Sequence, residues 1–326
     1  MSKFFNRNEE VIRAYLNGQE EGRNGNKSLF FRHGVLYSYG EHFPLAVKCN
    51  GKYIVNGDRY SVTTSKHQGT FFQLVPQRRR VEIPFTALEN IGPPTTIIKM
   101  DFEILDRTDE GWHPTGRYDK YGNEIREHRL GECLFRSNGT LYLSGFDPSG
   151  SNDGLYFLTQ LAPQNRVIKT VNDAYENMKP EAVKQAEQEG KDVRRQGEFF
   201  FVNTGYEYNE SHNLPALLLP LTLPGAPWWE YNESHNLPLP ADFSLSRPYS
   251  LAHHDPDREQ RRHHATVGFY ADGRQFVCGV VRHTNNDHRM LKLYDEPGTP
   301  EKDRYWYEVF EADNQVISYS AIGGID

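Results

Sequence analysis

A chain of 326 residues, 37% hydrophobic and 25% charged, has room for one large domain or two ordinary ones and is too apolar to be disordered. No apolar run reaches the length of a membrane span, and the N-terminal MSKFFNRNEEVIRAYL lacks the apolar core of a signal peptide. Three widely spaced cysteines (Cys49, Cys133, Cys278) without a CxxC pair argue against a disulfide frame or a thiolate zinc site, so a reduced, cytoplasmic protein with no membrane partner is expected. The net charge of −7 disfavours nucleic acid as a partner, but it is unevenly spread. Residues 27–82 carry nine Lys/Arg against three Asp/Glu, and residues 245–292 carry eight against five. Two basic segments in an acidic chain would form an anion-facing surface if they folded together; otherwise they are ordinary solvated faces.

Along the chain, EEVIRAYL places Val11, Ile12, Tyr15 and Leu16 on one face and stops at Gly18, which predicts a short helix. LAVKC-NG-KYIV follows as a hairpin, because Asn-Gly readily takes the positive φ angles of a tight turn. The next segment, NGDRYSVTTSKHQG (56–69), gathers hydroxyls, an amide and His67 beside Arg59 and Lys66. It would line a phosphate or base-edge site, or form an exposed strand with Ser and Thr facing water. Arg78, Arg79 and Arg80 read as a basic tip or a solvated hairpin end. TTIIKMDFEIL (95–105) is a β-branched run, and GECLFRS-NG-TLYLSGF is a second hairpin. SGFDPSGSNDG lacks a phosphate-loop pattern and reads as a loop. YFLTQL (156–161) and, near the C-terminus, YWYEVF (305–310) add strands. Between 171 and 190, VNDAYENM and PEAVKQAEQEG predict two short helices, with Pro180 opening the second and Gly190 ending it.

Residues 203–251 are dense in Pro, Leu and Asn, as in ALLLPLTLPGAPWW, and read as a loop or apolar arm. EYNESHNLP occurs there twice, at Glu207–Pro215 and Glu230–Pro238. The nine positions match fully and the fourteen after each copy match nowhere, the pattern of a short copied segment tolerated by a loop. The functional alternative makes Glu210/His212 and Glu233/His235 paired metal ligands or a twice-displayed binding peptide.

HHATVGFYADGRQFVCGVVRHTNNDHRMLKLY then predicts a three-stranded meander. A two-residue Asp272-Gly273 turn sets Ala271 opposite Arg274 and His264 opposite Val281. By alternation one face carries Ala265, Val267, Phe269, Phe276, Cys278 and Val280. The other gathers His264, His283 and His288 near Arg262, with Thr266 and Lys292 on the same side. Three imidazoles on neighbouring strands would hold a divalent metal with an open coordination position, the only cofactor the sequence suggests. They would otherwise act as general acid and base on a phosphate bound by Arg262 or Lys292, or be exposed histidines on a polar sheet face. The H-x-T triplet His264–Thr266 fits the histidine–hydroxyl pair of two-histidine phosphoesterases, without the second such triplet.

LFFRHGVLYSYGEHFPLAV, VNGDRYSVTTSKHQ, KPEAVKQAEQEGKDVRRQGEFFFV and HHATVGFY with VVRHTNNDHRMLKL resemble an uncharacterised family of proteins from bacteriophages, plasmids and bacterial genomes. The resemblance implies a mobile-element gene product in a bacterial cytosol and assigns no catalytic residue.

The expected fold class is α+β, predominantly antiparallel β meanders with a short N-terminal helix and a central helical pair. Its segments are 1–170 (β-rich), 171–202 (helical pair and connector), 203–251 (Pro-rich arm) and 252–326 (C-terminal meander), separate or integrated in one domain. The functional expectation is a nucleic-acid-binding or -processing protein, in its sharpest form a metal-assisted phosphodiesterase. There His264, His283 and His288 are ligands, His264, Thr266 and His67 catalytic groups, and Arg59, Lys66, Arg262 and Lys292 phosphate contacts. The alternative is a non-enzymatic or structural protein that engages a protein partner through β faces and the 203–251 arm.

Overall fold

A computed structural model describes residues 3–58, 61–88, 101–109, 111–129, 131–147, 155–163, 167–207, 249–251, 263–271, 273–283, 290–293, 305–313 and 315–319. The chain divides into two compact units. One is Met1–Pro148 with Leu155–Met178 and Asp313–Asp326; the other is Ser149–Gly154 with Lys179–Ala312. The division runs between the two central helices rather than around them. The expected class holds: α+β, mostly antiparallel.

The first unit opens with β1 (Lys3–Phe5), α1 (Asn8–Leu16), β2 (Glu21–Asn24), β3 (Leu29–Arg32), β4 (Val35–Ser38), β5 (Pro44–Cys49), β6 (Lys52–Asn56), α2 (Val62–Leu74) and β7 (Arg80–Ile83). The strands form one sheet in sequence order, antiparallel except at its two ends. There β1 and β2 run parallel across α1, and β6 and β7 run parallel across α2. A parallel pair needs a crossover, and the two helices supply it. The β5–β6 turn is the expected hairpin, with Asn50 at φ 44° and Gly51 at φ 75°.

Strand alternation sorts this sheet into two buried faces. Tyr53 and Val55 join Val11, Ile12, Tyr15 and Phe71 under the helices. Ile54, with Val35, Val47, Val81 and Ile83, meets Phe102, Cys133, Phe135 and Leu158. Those residues belong to a second sheet, whose described elements follow α3 (Phe85–Leu88): β8 (Phe102–Arg107), β11 (Cys133–Ser137), β12 (Thr140–Asp147) and β13 (Leu155–Gln160). The strand Gln315–Tyr319 completes it beside β13. The β11–β12 turn is again Asn-Gly, with Asn138 at φ 48° and Gly139 at φ 80°. The far face of this sheet packs Leu134, Leu143 and Phe157 on Val171, Ala174 and Met178 of α4 (Val171–Met178). The first unit is thus a stack of helices, sheet, sheet and helix. Inserted between β8 and β11 is a hairpin, β9 (Gly111–Tyr118) and β10 (Glu124–Arg129), which pairs with no other described strand.

The second unit contains α5 (Glu181–Gln188), β14 (Val193–Gln196), β15 (Phe199–Glu207), β16 (Tyr249–Ser250), β17 (His263–Ala271), β18 (Arg274–His283), β19 (Leu291–Lys292) and β20 (Tyr305–Glu311). The sheet order is β14-β15-β20-β18-β17-β16, with β19 on β18. Phe200 and Val202 alternate with Phe199 and Phe201. The first pair meets Val183 and Ala186 of α5; the second faces Ala265, Val277, Val281 and Tyr307. Pro180 sits at the N-cap of α5, one position ahead of the helix, and Gly190 takes φ 74° just after it.

Candidate nucleic-acid interface

The polar segment 56–69 is not an exposed strand. It leaves β6 at Asn56 and starts α2 at Ser61, whose hydroxyl caps the helix by accepting the Thr64 N–H at 3.1 Å. The helix buries Thr64, His67 and Gln68 and leaves Lys66 exposed. Gln68 Nε2 donates to the carbonyls of Asn56 (3.0 Å) and Asp58 (2.7 Å), and Asp58 Oδ2 accepts the Phe85 N–H at 2.8 Å. These bonds fasten the connection between strand and helix from inside.

His67 is the candidate catalytic residue of this segment. Its Nδ1 lies 2.9 Å from Ser38 Oγ on β4, and Ser38 Oγ lies 3.4 Å from Thr64 Oγ1. Hydroxyl and imidazole at this distance are the parts of an activated nucleophile. However, Ser38 is 0% and His67 1% exposed, and His67 Nε2 is buried without a hydrogen-bond partner. Burial pushes the His67 pKa down, so the ring is neutral. In this arrangement the pair ties β4 to α2 and is withdrawn from any substrate.

The RRR tip is corrected in one of its three residues. Arg80 is buried, with Nε 2.5 Å from Glu82 Oε1, Nη1 2.6 Å from the Val75 carbonyl and its guanidinium over the Phe72 ring. Arg107 of β8 also pairs with Glu82 and donates to the Gln77 carbonyl at 3.0 Å. Arg78 and Arg79 remain exposed in the 3₁₀ turn Gln77–Arg79. Arg79 donates to the Gly51 carbonyl at 2.8 Å and covers the Tyr53 ring, which brings it to the β5–β6 hairpin tip. Lys48 and Lys52 flank that tip, Lys48 opposite Tyr53 and Lys52 opposite Cys49.

The three acids of residues 27–82 are occupied elsewhere. Glu41 pairs with Arg32, Asp58 binds the Phe85 N–H, and Glu82 is buried between Arg80 and Arg107. Among the described residues no carboxylate lies within ion-pair distance of Lys48, Lys52, Arg78 or Arg79. These four cations lie at the end of the first sheet where α1 and α2 also end and the helix dipoles favour positive charge. Arg78 and Arg79 are exposed, and Lys48 and Lys52 are half-buried on opposite faces of the β5–β6 hairpin.

The meander of the second unit carries a register correction. Ala271 pairs with Arg274 as expected, but a bulge intervenes: Val267 pairs with Cys278 while Ala265 pairs with Val281. Gly279, at φ 90°, takes up the extra residue. His264 therefore lies opposite Arg282 rather than Val281, and His283 lies opposite His263. Val281, not Val280, joins the core row with Ala265. Thr266 serves this bulge: its Oγ1 accepts the Val280 N–H at 3.0 Å and lies 3.3 Å from the Val280 carbonyl. Lys292 is half-buried on β19, and its carbonyl accepts Arg194 Nη1 at 2.7 Å. Arg59, Arg262, His288 and the side chain of His283 lie outside the described residues, as do residues 208–248 with the repeat beyond Glu207. Among the described residues no group of three or more His, Cys, Asp or Glu side chains is placed to hold a metal ion, and no helix is long and apolar enough to cross a membrane.

Residues 3–82 match the model of a family of unknown function (DUF8033). The match runs from β1 into β7. No curated protein and no solved structure matches the chain.

Proposed function

We propose that this protein binds nucleic acid by contacting phosphates with the basic end of its first unit. Lys48, Lys52, Arg78 and Arg79 carry the reading. Burial and pairing consume the acids of this segment, so among the described residues these four cations keep no carboxylate partner, while Lys27 and Lys66 are exposed elsewhere on the unit. Phosphate contacts of this kind position a strand without reading its sequence. The proposal is one of binding; no described residue is both exposed and arranged for hydrolysis. It extends to a mobile-element gene product acting in a bacterial cytosol, which the resemblance of the four blocks supports.

The test is fluorescence anisotropy of labelled single- and double-stranded DNA and RNA with the full chain across a salt series. Binding that weakens steeply and log-linearly with salt is the expected result. Absence of binding at low salt overturns the proposal.

A further inference from the structure

We infer that the β9–β10 ribbon is a stacking platform for unpaired bases, so that the nucleic acid held by the basic end is single-stranded. The inference rests on the binding reading above and names its substrate class.

The ribbon is built to project. It pairs with no other described strand, and none of its described side chains is buried. Its turn is self-contained: the Asp119 carboxylate accepts the N–H groups of Tyr121 (2.8 Å) and Asn123 (2.9 Å) and the Asn123 side-chain amide (3.0 Å), and Gly122 takes φ 83°. Yet the ribbon carries large aromatic rings. Trp112 is 63%, Tyr118 66% and Tyr121 76% exposed.

The register groups two of these rings. Trp112 lies opposite His128, Pro114 opposite Arg126 and Tyr118 opposite Glu124. Along β10 the partners His128, Arg126 and Glu124 are alternate residues, but the register shifts by two between Arg126 and Glu124, so Trp112 and Tyr118 flank a bulge on one ribbon rather than standing in an unbroken row. Their β10 partners are four residues apart, about 13 Å at a rise of ~3.3 Å per residue, and Arg126, between those partners in sequence, is exposed. Aromatic planes interleaved with a cation suit a strand whose bases are unstacked. A duplex keeps its base faces covered and offers such rings nothing to stack on.

Charge selects this occupant over an apolar protein surface. Within 111–129 there are four Lys/Arg and three Asp/Glu, and one of the acids, Asp119, is tied into the turn. The foot of the ribbon is also joined to the basic end. Gln77 Nε2 donates to the Thr108 carbonyl at 3.2 Å, and Arg107 donates to the Gln77 carbonyl at 3.0 Å. Gln77 directly precedes Arg78 and Arg79, so phosphate-binding cations and base-stacking rings start from one place.

The experiment compares the full wild-type chain with Trp112→Ala/Tyr118→Ala and with Trp112→Phe, using labelled oligo(dT) and a hairpin duplex of equal length. The double variant should bind oligo(dT) about tenfold or more weakly, with its salt slope unchanged and its duplex binding altered less than about twofold. Trp112→Phe, which keeps a ring, should retain most of the affinity. Unchanged oligo(dT) binding in the double variant overturns the inference and leaves the binding reading standing. Equal weakening of duplex and oligo(dT) overturns the preference for unpaired bases. A wild-type dimer that becomes monomeric in the double variant, with oligo(dT) affinity retained, assigns the rings to a second copy and also overturns it. If neither protein binds any oligonucleotide at low salt, the binding reading itself fails and this inference with it.

Discussion

Glu82→Gln probes the buried charges that hold the basic end and the ribbon foot together. The Glu82 side chain is 2% exposed and is shared by Arg80 at 4% and Arg107 at 10%. Glutamine keeps the volume, so no cavity forms and the change isolates the charge. Both guanidiniums would stay buried beside carbonyl acceptors: Val75 and Phe72 for Arg80, and Gln77, Arg80 and Gly131 for Arg107. Removing one member of a buried ionic group costs about 3–5 kcal/mol. The remaining carbonyl acceptors place this case near ~3 kcal/mol, or roughly a hundredfold in the opening equilibrium. Global denaturation would blend two units, so hydrogen exchange followed by mass spectrometry is the suitable assay. Peptides covering β7 and β8 should exchange about a hundred times faster in the variant, while β17 and β18 stay as they are. Exchange in β7 and β8 within about threefold of wild type would refute the assigned role of Glu82, as would equal acceleration in the second unit.

Two further outcomes follow from the geometry. Burial lowers the pKa of His67 in the folded state, so below its ordinary value of about 6.5 the unfolded chain binds the extra proton and stability falls. His67→Gln should flatten the loss of stability between pH 7.5 and the lowered folded-state value, read by exchange in α2; equal pH dependence in both proteins would contradict the buried neutral ring. Gly279→Ala puts a Cβ 2.9 Å from Thr266 Cβ at a φ of +90°, and should destabilise β17–β18 by about 1–3 kcal/mol. Unchanged exchange in those strands would mean that the bulge lies elsewhere.

Much of the fold was legible because local chemistry and tertiary structure agree. Both Asn-Gly hairpins took positive φ angles at the expected residues, and the apolar face of EEVIRAYL is the face that α1 buries. The Ser/Thr run before His67 misled for a physical reason. Val62 and Thr63 favour strand geometry, but the Ser61 cap and the need for a crossover between parallel β6 and β7 decide for helix. The histidine row depended on an unbroken register. The lone Gly279 inside a β-branched run was the available sign of a bulge. The ribbon GWHPTGRYDKYGNEIREHR is hard to read from sequence because none of its described side chains is buried, so it lacks the apolar alternation that reveals other strands. The Asp-x-x-Gly-Asn turn was its visible signal. The buried Ser38–His67 contact joins residues 29 positions apart, a pairing no local pattern announces.

The salt dependence of binding in Lys48→Gln/Lys52→Gln/Arg78→Gln, set against wild type, tests the central claim most directly. Arg79 is retained because it braces the Gly51 carbonyl and the hairpin tip. Loss of three phosphate contacts should make the slope of log affinity against log salt shallower by about 2 for a single strand. A variant that binds with the wild-type slope and affinity would show that the basic end of the first unit is not where nucleic acid is held.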